Sequence, residues 1–299
     1  LEYEFLDFYD FINLFIIILS YPFKSLNLLQ KEKSLEDIIF NQSLINDFQQ
    51  FNFSSITRYI LGKKLSKIKT IQKIYSWSEF QVIERSLNFA IRKNCNHIYL
   101  IGLQFYLNYD TYLNAYVDDI DFVMKSSPHK MLVNGKYFLI DREKIKYDIG
   151  VSLRYRSIFK FPGIIENKNI LLLGSFKESE TKYVIDNLKE LDNVIFVNHP
   201  AVNIKKFDKL PKKIIVSNEN IYNLFQNSKL VIGTTFSGTL VEAVACGISA
   251  IIVASQKNLT SNPLVKTGKG KIWDVAFNAS EIIQIYKKLI DFRTNNKEK

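Results

Sequence analysis

Leu230-Val-Ile-Gly-Thr-Thr-Phe-Ser-Gly-Thr-Leu-Val-Glu-Ala-Val-Ala-Cys-Gly247, continued by Ile248-Ser-Ala-Ile-Ile-Val-Ala254, decides how this chain folds. An apolar β-branched run breaks into small polar residues, becomes apolar at helical spacing, stops at a glycine and opens a second β-branched run. That order reads as a buried parallel strand, a loop, a helix with Gly247 as its C-cap, and another buried strand. Upstream, Val194-Ile-Phe-Val-Asn-His-Pro200 is a similar strand that exits into a histidine and a proline. Ligands of open α/β sheets sit at the carboxyl ends of strands. His199 and the cluster Thr234, Thr235, Ser237, Gly238 and Thr239 are therefore expected to face one crevice. Free backbone N–H groups, hydroxyl donors and the positive end of a helix suit a phosphate. His199 adds a donor that can carry charge.

Working outward, the second half alternates strand and helix. Strands are expected at 170–176, with a Gly174-Ser175 exit, and at 194–197, 213–216, 230–232 and 250–253. Helices fall at 178–191, 221–226, 238–246 and 279–292. Five strands alternating with helices make a doubly wound domain. Pro162 and Gly163 place an interdomain linker within 156–168, giving an N-terminal domain over 1–160 and a C-terminal domain over 161–299. The N-terminal domain starts with helix-compatible stretches at 12–19, 35–40 and 56–65. A strand is then expected at 70–75. A helix capped by Ser76 or Ser78 follows, with Phe80, Ile83, Leu87, Ala90 and Ile91 as its buried stripe. Next come a strand over 97–104 ending in Gly102-Leu-Gln104, a tyrosine-rich loop at 105–116, the acidic group Asp118, Asp119 and Asp121, a strand at 130–135 and an extended pattern at 147–155.

Composition narrows the function. Of 299 residues, 47% are hydrophobic and 14% aromatic, enough for a sizeable core. The net charge of +10 suits an anionic membrane surface or an anionic small substrate. The basic residues are spread out and form no arginine-rich stripe, so nucleic acid is not expected as a partner. The two cysteines, Cys95 and Cys246, and the three histidines have no metal-type spacing, so no metal site is expected and the thiols read as reduced, in the cytoplasm. His97 and His129 read as structural. The run FYDFINLFIIILSYPF over 8–23 carries Asp10 and Asn13 and is short of the about 20 apolar residues that a span needs. It reads as a buried or interfacial helix. Lys63, Lys64, Lys67 and Lys69 form either a solvated helix face or a contact for anionic lipid head groups. The chain starts at Leu1 rather than a methionine, which reads as either a fragment or a trimmed chain.

The second-half motifs bring a resemblance into view. Thr239-Leu-Val-Glu-Ala-Val-Ala-Cys-Gly-Ile-Ser resembles the Glu-Ala-x-x-x-Gly-x-Pro segment of GT-B glycosyltransferases, with Ser249 where proline is usual. That likeness implies a GT-B-like α/β fold of two Rossmann-type doubly wound domains after a helical N-terminal region. It makes Glu242 the candidate contact to the donor ribose. His199-Pro200 with the later hydroxyl cluster is similar to the His-Pro and Ser/Thr motifs of bacterial sialyltransferases and Kdo transferases. By that likeness His199, Thr234, Thr235 and Ser237 grip the phosphate of a CMP-sugar. Trp77-Ser-Glu-Phe-Gln81, Gly102-Leu-Gln104 and Leu153-Arg-Tyr155 resemble segments of bacterial surface-carbohydrate (capsule or O-antigen, lipopolysaccharide) biosynthesis proteins. The likeness covers about residues 70–290. The acidic-acidic-Gly motif that supplies the base in several sialyltransferases is absent, because Ile120 follows Asp118-Asp119.

The roles follow from what sugar transfer requires. Charge on the leaving phosphate must be stabilised and the acceptor hydroxyl must lose a proton. His199 and the 234–239 loop are assigned to the first task, with Ser175 as a further donor contact or simply a turn residue. Glu79 is assigned as the base, against Asp110, Asp118, Asp119 and Asp121. Gln104 is a candidate substrate contact, and Arg154 is a candidate partner for an acidic sugar or a linker anchor. The expected partners are a nucleotide sugar, a glycan or lipid-linked glycan acceptor, and a peripheral contact with the inner face of the cytoplasmic membrane; no cofactor is expected. A nucleotide-sugar epimerase or hydrolase on the same fold, and a non-catalytic sugar-binding scaffold, stay open as alternatives.

Overall fold

The computed structural model describes residues 2–49, 53–105, 107, 116–150, 152–188, 190–207, 210–235, 237–255, 262, 264 and 267–295. It forms two compact units, one built from Leu1–Phe105 and Tyr112–Val151, the other from the chain beginning at Ser152.

The second unit carries the 230–254 stretch. Its strands are β5 (Asn169–Leu173), β6 (Val194–Val197), β7 (Ile214–Val216), β8 (Ser228–Thr234), β9 (Ser249–Val253) and β10 (Trp273–Ala276). Every neighbouring pair is parallel, in the order β10-β9-β8-β5-β6-β7. Helices α6 (Glu178–Asn187), α7 (Ile221–Gln226), α8 (Gly238–Ala245) and α9 (Ala279–Asn295) join or follow them. The interiors of β5, β6, β7 and β9 are apolar at every position, and period two sends alternate side chains to opposite faces. Ile170, Leu172, Leu230, Ile232 and Ile251 pack with α6 and α9 residues such as Val184, Ile282 and Leu289. Leu171, Leu173, Val231, Ala250 and Ile252 pack with Leu224 and Phe225 of α7 and Leu240 and Ala243 of α8. Two cores on two faces make this sheet doubly wound. Six strands stand where five were expected. β10 was missed because an edge strand needs less apolar character, and Asp274 interrupts its short run. The stretch 156–168 belongs with this unit: Ile158, Phe161 and Ile164 pack on the α7–α8 side, and the Ile165 and Glu166 N–H groups both donate to the Gln226 carbonyl.

The first unit opens with α1 (Phe8–Leu26), α2 (Leu35–Gln49) and α3 (Phe53–Leu65), the expected helical start. Its parallel sheet runs β1 (Lys73–Trp77), β2 (Tyr99–Leu103), β3 (Lys130–Val133), β4 (Lys146–Ile149) in chain order, with α4 (Val82–Asn94) and α5 (Asp119–Val123) between strands. α3 lies close on α4, because a Cβ at Gly62 would come 2.7 Å from the Ala90 Cβ. Leu61, Leu87, Ile91, Ile98 and Leu100 form the core there. The expected cap of α4 is corrected. Ser76 lies inside β1, and the helix starts after Gln81 because Phe80 adopts φ +58°. Phe80 is held there by burial against Val117, Met131 and Ile145. The segment over 147–155 is extended only through Ile149 and then turns into a 3-10 helix at Leu153–Tyr155. α1 begins with a capping box between Asp7 and Asp10. Its long apolar run is mostly exposed rather than buried, with Phe8 at 75% and Phe15 at 61% exposure. Among the described residues no helix is long and apolar enough to cross a membrane.

Candidate functional site

In the second sheet, β6 and β7 follow β5 on one side while β8 to β10 continue on the other. The strand order therefore reverses between β5 and β8, and the loops leaving them part to open a crevice at the carboxyl ends. A cavity of about 290 Å³ lies there, lined by Gly174, Ser175 and Phe176 after β5, Asn198, His199 and Pro200 after β6, and Thr234, Ser237 and Thr239 around the β8–α8 junction.

Each wall has a local cause. The Gly174 N–H donates to the Val197 carbonyl at 2.8 Å, tying the β5 exit to the β6 exit. A Cβ at Gly174 would come 2.9 Å from the His199 backbone nitrogen, so only glycine permits that approach. The Ala201 N–H donates to His199 Nδ1 at 3.1 Å. Accepting that bond requires a lone pair on Nδ1, which leaves Nε2 as the N–H donor of the ring. The Phe176 ring meets the imidazole edge-on, centroids 6.4 Å apart. Ser237 is the N-cap of α8, yet its hydroxyl does not bond back to the helix. The first N–H groups of α8 have no acceptor within the helix, and the helix dipole adds partial positive charge.

His199, Thr234, Ser237, Thr239 and Ser175 are thus brought to one cavity. The hydroxyl protons differ in availability. Ser175 Oγ donates to Glu180 at 2.7 Å and accepts from the Lys177 N–H at 3.1 Å, so its proton is committed. Thr234 Oγ1 donates to the Thr235 carbonyl at 3.2 Å. Thr235 and Gly238 sit beside the cavity and do not line it. Glu242 does not line it either. Its carboxylate accepts the Tyr222 hydroxyl proton. Burial raises its pKa, against the lowering effects of that bond and of Arg154. Arg154 lies in the 3-10 turn and acts electrostatically on Glu242, as a linker-side anchor would.

The first-unit candidates are placed as follows. Glu79 was expected in the first helical turn; it lies in the turn between β1 and α4, and its N–H donates to the Glu84 carboxylate at 2.6 Å. Burial raises the pKa of Glu84, the residue in that first turn. Gln104 is buried, and its Oε1 accepts the Asn134 N–H at 2.9 Å. The acidic group is occupied structurally. Asp118 caps α5 with Asp121 in a capping box. Asp119 accepts from the backbone at Glu143, Lys144 and Ile145, which lowers its pKa. Asp121 pairs with Arg85 at 3.3 Å. Asp110 lies outside the described residues. His129 accepts the Leu100 N–H and stacks on Tyr99, a structural role. Sequence reasoning missed Asn198 and Phe176 as cavity residues. Both flank assigned positions, and only their residue types, a side-chain amide and an aromatic at strand exits, could have pointed to them.

Comparison with protein-family models and with curated proteins gives no match. Among solved structures the chain resembles the glycosyltransferase SnogD from Streptomyces nogalater, with 10% identity over 81% of this chain and 73% of that one, TM-score 0.44. It also resembles the spinosyn forosaminyltransferase SpnP, at 9% identity over 83% and 79%, TM-score 0.47. A third likeness is to a UDP-forming α,α-trehalose-phosphate synthase from Burkholderia vietnamiensis, at 10% identity over 97% and 84%, TM-score 0.41.

Proposed function

We propose that the chain is a GT-B-type glycosyltransferase that moves a sugar from a nucleotide donor, a CMP-activated acidic sugar such as Kdo or a sialic-acid-like sugar, onto a surface-polysaccharide acceptor. The carrying observation is the single cavity shared by His199, Ser237, Thr239 and the start of α8. The His199 Nε2–H, the Ser237 and Thr239 hydroxyls and the first N–H groups of α8 are the donors it offers, and they suit a phosphate. Phe176, 53% exposed, offers a ring face beside it for a base or sugar. The CMP preference is supported by the His199-Pro200 and hydroxyl motifs.

In this reading the acceptor oxygen attacks the anomeric carbon from the face opposite the phosphate. The bond from that carbon to the phosphate oxygen breaks, and its electron pair leaves with the phosphate. His199 Nε2–H, the Ser237 and Thr239 hydroxyls and the α8 N–H groups hold the developing charge without a metal. A hydrogen bond to a charged group contributes about 1.5–3 kcal/mol and a helix end about 0.3–1 kcal/mol. Together they supply roughly a few powers of ten in rate. We assign removal of the acceptor proton to Glu79 and pairing with the acid group of the sugar to Arg154, whose charge also acts on Glu242.

Isothermal titration with CMP, UDP and GDP tests the donor site. CMP is expected to bind, and His199→Ala to weaken it about 10- to 150-fold, the loss of one hydrogen bond to a charged group. Unchanged CMP affinity in that variant would rule out the proposed phosphate site. Glu79→Gln should keep CMP affinity and lose turnover; full turnover would remove Glu79 from the mechanism.

A further inference from the structure

At the edge of the second sheet opposite the donor cavity lies a larger cavity, of about 480 Å³. Asn167 precedes β5, Ser249 opens β9 and Ile272 precedes β10, so it sits at the amino ends of the parallel strands. Val244 of α8 and Phe292 and Arg293 of α9 add to its wall. A mostly apolar wall with a few polar groups is the make-up of a small-molecule site.

Two polar side chains in it lack partners. Arg293 offers N–H donors in a planar fork, and it makes one hydrogen bond, from Nη1 to the Lys229 carbonyl at 3.3 Å. Burial lowers its pKa, and no carboxylate acts on it to offset that cost. The acids closest in sequence are engaged or face away. Glu166, beside Asn167, is paired with Lys168 at 2.8 Å. Asp291 stands two residues before Arg293, which places it on the far side of α9. Ser249 is 4% exposed, and its hydroxyl makes no hydrogen bond among the described residues. A partly buried cation without a counter-ion and a buried hydroxyl without a partner both cost stability. A ligand that meets both removes that cost.

The guanidinium fork matches the two oxygens of a carboxylate, and the Ser249 hydroxyl is a further donor. Val244, Ile248, Ile272 and Phe292 surround them. That wall suits an apolar body and leaves a fully charged ion such as phosphate poorly solvated.

We propose that this cavity binds a small organic carboxylate, with its acid group on Arg293 and Ser249 and its apolar body against Ile248, Ile272 and Phe292. The site lies within the second unit and does not rest on the donor reading.

Calorimetric titration of the full chain with benzoate, benzyl alcohol and inorganic phosphate tests it. Benzoate should bind saturably, and the other two at least about tenfold more weakly. Arg293→Gln should weaken benzoate about 10- to 150-fold and Ser249→Ala about 2- to 10-fold. Arg293→Lys, which keeps the charge but not the fork, should fall between the wild type and Arg293→Gln, and it carries the test if the Gln variant does not fold. His199→Ala should leave benzoate affinity unchanged. No saturable benzoate binding, or unchanged affinity in the Arg293 variants, would overturn the proposal. Phosphate or benzyl alcohol binding as tightly as benzoate would overturn the ligand class. Loss of benzoate binding in His199→Ala would overturn the site, by assigning the ligand to the donor cavity.

Discussion

At the residue scale, Gly174 is the position where the donor cavity is most sensitive. The chain leaves β5 against the backbone of His199, and a methyl group placed 2.9 Å from that nitrogen must push the β6 exit away. Gly174→Ala is therefore expected to lower stability by about 1–3 kcal/mol. It should also weaken nucleotide binding although no donor is removed. Denaturant titration and calorimetric titration on one sample would separate the two effects. His129 sets a different expectation. Burial, with a smaller contribution from Arg92, lowers its pKa from 6.5 to about 4. Its contribution to stability is complete above pH 6.5. It is lost as pH falls from 6.5 towards 4, because the unfolded chain then takes up a proton that the folded chain refuses. Urea midpoints measured across that window should fall, and His129→Gln should flatten the slope. Cys246 shows the same principle without function: burial lifts its thiol pKa to about 11, so it is not a ready nucleophile.

At the element scale, α8 connects the core to the site. Leu240 and Ala243 are fully buried against the sheet, while Ser237 and Thr239 at the start of the helix line the cavity. The same helix therefore fixes hydroxyl positions by burying apolar side chains three and four residues on. Leu240→Ala should cost about 2–5 kcal/mol and blur the cavity wall, read as a lower melting temperature and a smaller CMP-induced shift. α4 shows the opposite relation. Its first turn is displaced by Phe80, whose burial outweighs the capping potential of Ser76 and Ser78. Glu79 was moved from the helix to a turn by that one side chain.

At the scale of the whole molecule, each unit has its own sheet and its own buried clusters. Separate cores predict separate cooperative transitions. Scanning calorimetry is expected to resolve two, and CMP to raise only the one belonging to the second unit, since all cavity residues lie there. A single transition raised as a whole would show that the two units unfold together.

Local pattern was enough for much of this. The continuous apolar runs at 170–173, 194–197 and 230–232 specify buried parallel strands because both faces must be covered. The residues that end those runs are the ones at the carboxyl edge, so His199, Ser237 and Thr239 were legible as neighbours. What the sequence did not determine depends on contacts between residues far apart in the chain. The φ of Phe80 is decided by Val117, Met131 and Ile145, and the carboxylate of Glu242 is engaged by Tyr222. The apolar run at 8–23 was legible as a helix. Its exposure was not, because the same pattern serves a core or an interface, and only tertiary packing decides between them.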